Sequence, residues 1–170
     1  VSGVARIVVI GNAAGGKSTL ARKIANRRGL PLIELDQLLW QQGSKLAPAP
    51  DYSRQHAKII ARDEWVIDGL GGQDSIVERL VRATEIVLID MPLWMHFYLA
   101  AERQIECHLE SPSACAAEMP PIRELFRAMW EVDQTWLPAL RSMCQNAELE
   151  GKAVTRLTSP DEIDAFAKNM

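Results

Sequence analysis

The sequence predicts an α/β domain, a three-layer sandwich with a five-stranded parallel sheet and helices on both faces. Three observations carry that reading. Short apolar runs rich in β-branched residues alternate with longer stretches of helical period, as strands buried on both faces and their crossover helices do. The 170 residues are 48% hydrophobic and 24% charged, the balance of a folded globular chain and not of a disordered or fibrous one. A glycine-rich segment also joins the first strand to the first helix, at the end of the sheet where such domains bind ligands.

The expected strands are Arg6 to Ile10, Pro31 to Leu35, Trp65 to Ile67, Glu85 to Ile89 and Ala153 to Leu157. Lys17 to Arg28 reads as a helix because Leu20, Ala21, Ile24 and Ala25 share one face, and Gly29 then Pro31 stop it. Further helices are expected over Asp51 to Arg62, over Ser75 to Val81 with Asp74 as N-cap, and over Leu93 to Leu109. The last helix has a cap in Ser159, a proline at its first position in Pro160, and acidic groups in Asp161 and Glu162 at the positive end of its dipole.

Two segments interrupt the alternation and read as inserted lids. Gln37 to Pro50 is expected to be irregular and to lie over a ligand. Glu110 to Pro121 is rich in Ala, Ser and Pro and leads into an amphipathic stretch with Ile122, Leu125, Phe126, Met129, Trp136, Leu140 and Met143. That face reads as core, with a dimer surface as the alternative, so the expected state is monomer or homodimer. Pro138 is expected to kink or restart the helix.

Composition narrows the function classes. With 19 Lys+Arg against 22 Asp+Glu the net charge is -3, which is no footprint for a nucleic-acid or anionic-membrane binder. The three cysteines, Cys107, Cys115 and Cys144, form no C-x-x-C pair, and the spacing of His108 beside Cys107 is wrong for a metal site. Free thiols fit a reducing, cytoplasmic setting. Only six residues precede the run Ile7 to Ile10, too few for a signal peptide, and the longest apolar stretch, Ile86 to Ala101, is broken by Asp90, Pro92 and His96.

The segment Gly11-Asn12-Ala13-Ala14-Gly15-Gly16-Lys17-Ser18, followed by Thr19, fits G-x-x-x-x-G-K-[ST] directly after a strand and before a helix. Glycines let backbone N–H groups wrap a phosphate closely, and the positive end of the following helix adds to that field. Lys17 is placed to reach the β- and γ-phosphates of a nucleoside triphosphate, and the Ser18 hydroxyl to bind Mg²⁺.

Asp36, Asp68 and Asp90 each fall just past an expected strand, where all three open toward the phosphate crevice. Trp65-Val66-Ile67-Asp68-Gly69 is an apolar strand ending in an acid with glycine behind it, a candidate Mg²⁺-binding carboxylate. Asp36 opens the first lid and is assigned to the acceptor side, orienting a hydroxyl and taking its proton. Asp90, followed by Met91-Pro92, reads more as a structural strand end than as a metal ligand.

These residues resemble the adenylate kinase-like P-loop kinases, and within them the small bacterial DNA topology modulation proteins. The carriers are Ile10-Gly11 to Thr19, Ile33-Glu34-Leu35-Asp36 leading to Trp40, Trp65 to Gly69, Ile89-Asp90-Met91-Pro92-Leu93-Trp94, and Arg156-Leu157-Thr158-Ser159-Pro160. The resemblance implies the strand order 2-3-1-4-5, a small lid, ATP with Mg²⁺, Asp68 near the metal and Asp36 facing the acceptor. It also implies a phosphate-clamping arginine early in the lid, a place that Arg103, thirteen residues after Asp90, matches. Arg123 and Arg127 are further clamp candidates, with a solvated helix face as the alternative. Residues 1–170 are thus read as one domain, with an acceptor-side insert at 37–63 and a lid region at 103–127.

The chain departs from that pattern at four places. Ala14 stands where the loop usually has glycine, and Leu70-Gly71-Gly72 stands where related kinases carry an acceptor arginine or Asn-Tyr. Leu93 and His108 occupy two further basic positions. Trp40, Gln41 and Gln42 suggest a small acceptor, aromatic or hydroxylated, with Trp40 either a stacking wall or core. The favoured reading is an ATP-dependent phosphotransferase acting on a small molecule, without direct contact to nucleic acid or membrane. An ATP-binding regulatory protein with weak or no transfer is the alternative.

Overall fold

The computed structural model describes residues 3–41, 45–46, 48–113, 115 and 119–170. Strand β1 (Ala5–Gly11) is central, and Ile7 through Ile10 are wholly buried because helices cover both of its faces. It pairs in parallel with β5 (Glu64–Asp68) on one side and β6 (Glu85–Ile89) on the other. Beyond these lie β2 (Leu32–Glu34), parallel to β5, and β7 (Ala153–Leu157), parallel to β6. The sheet order β2-β5-β1-β6-β7 is the expected 2-3-1-4-5 when its five strands are counted along the chain.

Side chains alternate across the strands and divide the core into two layers. Ile7, Val9, Val66, Val87 and Ile89 meet α1 (Lys17–Arg28), α5 (Leu93–Glu110) and α8 (Pro160–Asn169). Val8, Ile10, Ile67, Ile86 and Leu88 meet α3 (Ala49–Ile60), α4 (Gln73–Arg82) and α7 (Leu137–Leu149). The expected stops and starts form: Gly29 ends α1 at φ 66°, donating to the Ala25 carbonyl, and Ser159 Oγ accepts the Glu162 N–H at the start of α8.

Several local expectations are corrected. Gln37 to Pro50 is not irregular throughout: α2 (Leu35–Leu39) runs into a hairpin of β3 (Trp40–Gln41) and β4 (Lys45–Leu46), and α3 begins at Ala49. Antiparallel pairing gives those backbone groups partners that an open loop would leave to water. Asp74 lies inside the first turn of α4, whose N-cap is Gly72, and there it still meets the positive end of the dipole. The amphipathic stretch is α6 (Ile122–Glu131), a π-helical turn at Val132–Trp136, and α7, with helical backbone throughout, so the helix is neither stopped nor restarted and Pro138 falls just after the π-turn. Of the face read as core, Met129 and Leu140 are buried and Trp136 and Met143 pack against the core, while Ile122, Leu125 and Phe126 are half-buried.

Candidate active site

Gly11 ends β1 at φ +151°, and a Cβ there would stand 2.3 Å from the Ile89 carbonyl oxygen, so the strand can turn into the loop only at glycine. Asn12 is wholly buried, with Nδ2 donating to the Met129 carbonyl at 2.8 Å and Oδ1 accepting the Ala13 N–H at 2.8 Å. Its amide fastens the loop to the end of α6. Ala14, at the position where the resemblance leads one to expect glycine, adopts φ 55°, the one non-glycine with positive φ among the described residues. The loop geometry therefore demands a left-handed residue here, and alanine pays steric strain to supply it. Gly15 lies against His96 of α5: a Cβ would meet its Cε1 at 2.8 Å. The His96 Nδ1 is 2.8 Å from the Ala13 carbonyl, which assigns the proton to Nδ1, and burial pushes the imidazole below its ordinary pKa.

Gly16, at φ 79°, precedes α1, and Lys17, Ser18 and Thr19 form its first turn, with Ser18 and Thr19 exposed. Lys17 Nζ folds back to donate to the Asn12 carbonyl at 2.6 Å. Burial lowers its pKa, while Asp68 and Asp36 pull it back up. Ser18 Oγ donates to Asp68 Oδ2 at 2.5 Å. The other oxygen of Asp68, Oδ1, is buried without a hydrogen-bond partner among the described residues. Burial raises the Asp68 pKa against the Ser18 hydrogen bond and Lys17.

Asp36 occupies the first turn of α2, exposed and without a hydrogen bond or ion pair to any described residue. The close packing of β2 on β5 brings it in: its Oδ1 is 3.7 Å from where a Cβ on Gly69 would stand. Lys17, Ser18, Asp68 and Asp36 thus converge at the carboxyl ends of β1, β2 and β5. Leu70 to Gly72, where an acceptor arginine was missing, is held from below by Arg79, which donates to the Gly69 and Leu70 carbonyls at 3.2 and 2.6 Å. Burial lowers the Arg79 pKa to about 10.

Arg103 is on α5, two turns past His96 and therefore about 10 Å along the same helix face. It is exposed and makes no hydrogen bond or ion pair to the described residues, as is true of Arg123 and Arg127 on α6. The structure joins none of the three to the loop by a direct bond. Backbone pairing places Trp40 and Gln41 in β3, and Gln42 lies outside the described residues.

Asp90 is structural. Its wholly buried carboxylate accepts from Arg141 Nη2 at 2.7 Å and Nε at 3.0–3.1 Å, and from Arg156 Nε at 2.6 Å. Burial opposes ionisation, yet the two guanidinium groups hold the carboxyl below its usual range. Sequence reasoning passed over Arg141, Arg79 and His96. A basic or imidazole group on a helix following a strand-end acid was the available signal, and by itself it names no partner.

A cavity of about 230 Å³, mostly apolar, adjoins the loop between Gly16, Thr19, Met91, Leu99, Pro160 and Ile163. A larger one of about 440 Å³ lies between α7 and β7, lined by Leu88, Arg141, Cys144 and Val154 and by no loop residue, so it is separate from this chemistry. Among the described residues, no His/Cys/Asp/Glu group of three could hold a metal, and no helix is long and apolar enough to cross a membrane.

Comparison with solved structures gives the same architecture. Shikimate kinase from Acinetobacter baumannii, solved with shikimate, aligns with a TM-score of 0.62 at 14% identity over 96% of this chain and 88% of that one. Shikimate kinase from Bacteroides thetaiotaomicron gives 0.54 at 14% over 97% and 95%. A gluconokinase from Sinorhizobium meliloti gives 0.50 at 16% over 98% and 95%. The fold is that of the P-loop kinases. No family model and no curated protein sequence matches the chain.

Proposed function

We propose that this protein is an ATP-dependent phosphotransferase that moves the γ-phosphoryl group to a hydroxyl or phosphate on a small molecule. The observation that carries the reading is the convergence of Lys17, Asp68 and an unengaged Asp36 carboxylate at one end of the sheet. The residues fit Mg²⁺: Asp68 Oδ1 is a buried oxygen without a partner among the described residues, beside the Ser18 hydroxyl. Ser18 and Asp68 would hold the ion, directly or through water, and when bound it supplies neutralisation of phosphate charge.

In this reading Gly11 to Thr19 bind the phosphates through the loop and the first turn of α1. Lys17 exchanges its hydrogen bond to Asn12 for phosphate oxygens and counters the charge that builds during transfer. The neighbouring apolar cavity is suited to the base. Asp36 orients the acceptor hydroxyl and takes its proton on a carboxylate oxygen. Arg103 adds positive charge from the lid side once the lid closes. The named acceptors of the structural neighbours support a small hydroxylated acceptor.

Asp36→Ala tests the assignment. ATP affinity by calorimetry is expected to stay within about twofold, while turnover with an acceptor found in a panel of nucleosides, nucleotides and hydroxylated metabolites falls by about 100-fold or more. Normal turnover in this variant removes Asp36 from the mechanism. A second reading, an ATP-binding regulatory protein, is favoured by Arg79, the arginine nearest the acceptor loop, being spent on backbone carbonyls. Tight Mg-ATP binding with no product across the whole panel would select it.

A further inference from the structure

Helix α5 carries a large apolar stripe that the domain does not use. Trp94, Tyr98, Ile105 and Leu109 are 63%, 57%, 61% and 80% exposed. Their spacing of four, seven and four residues keeps them on one side of the helix. The opposite side is spent on the fold, with His96 and Ala100 buried and Met95 and Leu99 packed on the core. We propose that this stripe is the interface of a two-fold homodimer in which α5 packs antiparallel against α5 of a second copy.

Self-complementarity argues for a second copy as the occupant. The stripe reads the same outward from its midpoint at Ala101 and Glu102 in both directions. Antiparallel pairing sets Trp94 opposite Leu109 of the second copy and Tyr98 opposite Ile105, and each pair occurs twice about the axis, as an isologous interface requires. Aromatic rings meet aliphatic side chains, and the half-buried Ala101 at the centre lets the helices approach.

The area is sufficient. Helices α5 and α6 run antiparallel to each other, because Phe97 stacks on Phe126 at 4.5 Å and Gln104 Nε2 donates to the Pro120 carbonyl at 2.7 Å. That direction brings Trp130, 55% exposed, to the Trp94 end and widens the stripe. With large side chains presenting about 150–250 Å² each, the five offer roughly 600 Å² per copy. A two-fold dimer would then bury about 1,200 Å², the lower bound of specific interfaces. Charge turns the face away from anionic bilayers and nucleic acid, since Glu102, Glu106 and Glu110 lie exposed on the same helix. Glu102, hydrogen-bonded by the Tyr98 hydroxyl at 3.2 Å, sits beside its own copy across the axis, a repulsion that salt weakens.

Sedimentation velocity from about 1 to about 300 μM tests the proposal. A reversible monomer–dimer equilibrium is expected, weakened at least about tenfold by Ile105→Lys and tightened by Glu102→Gln or added salt. Circular dichroism should show both variants folded, since neither side chain is buried. Copper-phenanthroline oxidation of Trp94→Cys mixed with Leu109→Cys should join the two proteins, where neither alone exceeds the crosslinking of the unsubstituted chain. A protein monomeric throughout, one that adsorbs to neutral lipid vesicles through this face while staying monomeric, a dimer indifferent to Ile105→Lys, or self-crosslinking of Trp94→Cys overturns the proposal.

Discussion

Asp68 and Asp90 stand at the carboxyl ends of β5 and β6, the two strands that flank β1, both behind apolar runs and both buried, yet their surroundings are opposite. Asp68 has one hydrogen bond from Ser18, one oxygen with no partner among the described residues, and a pKa raised by burial. Asp90 has both oxygens taken by Arg141 and Arg156, and against the effect of burial its pKa is lowered. A buried carboxylate with an unpaired oxygen is costly unless something else completes it, whereas one gripped by two guanidinium groups is already complete. In the proposed reading, the first belongs to a site that a ligand finishes. The second is a pin between β6, β7 and α7.

The largest effect expected from this contrast is on chemistry. Lys17→Met should cut transfer by about 100- to 1,000-fold while leaving the melting temperature close to that of the parent, because in the proposed reading the lysine serves phosphate charge and not the core. Loss of folding in that variant would place Lys17 among the pins. Asp90→Asn should do the reverse, with activity per folded molecule retained and stability reduced by about 2 kcal/mol in urea titrations. That is less than the roughly 3–5 kcal/mol of a fully buried pair, since both arginines reach solvent.

The pH dependence follows the signs of the two shifts. The folded pKa of Asp90 is depressed, so its stabilisation is complete above the unfolded value of about 3.9 and is lost as pH falls through the folded one. Asp90→Asn should therefore flatten the acid limb of the stability curve. The folded pKa of Asp68 is raised, so its ionisation costs nothing below the unfolded value, and stability is lost as pH rises through the folded one. Asp68→Asn should gain about 1 kcal/mol at neutral pH by removing a negative charge from a buried position, and should weaken Mg²⁺-dependent ATP binding. An unchanged Mg²⁺ dependence would deny Asp68 its place at the metal. The smallest effect is in the loop: Ala14→Gly should stabilise by about 0.5 kcal/mol, left-handed strain relieved minus the added entropy of the unfolded chain.

Much of the site was legible because it is local in sequence. Gly11 to Thr19 lie on a strand, a turn and a helix start that need only their own residues to be recognised, and Asp68 ends an apolar run of strand length. The hairpin of β3 and β4 was not legible, since it rests on backbone pairing across a segment whose composition reads as loop. The apolar stripe of α5 was hidden for a related reason: Trp94, Met95, Leu99 and Ile105 look alike in a hydrophobicity pattern until the sheet takes one side of the helix. Asp36 was placed on the acceptor side by its position after β2, and the structure puts it beside Gly69 with its carboxylate unengaged.

By itself, then, the sequence determined the alternation of strands and helices, most of their ends, and the glycine-rich loop, since these depend on periodicity and on neighbours a few residues apart. Tertiary structure decided which strand-end acid is pinned and which is left open. Arg141 and Arg156 lie 51 and 66 residues from Asp90, and Asn12 meets Met129 across 117. Such pairings arise only when the sheet brings distant elements into hydrogen-bond range, where water is excluded and the charge on each carboxylate is set by whatever stands beside it.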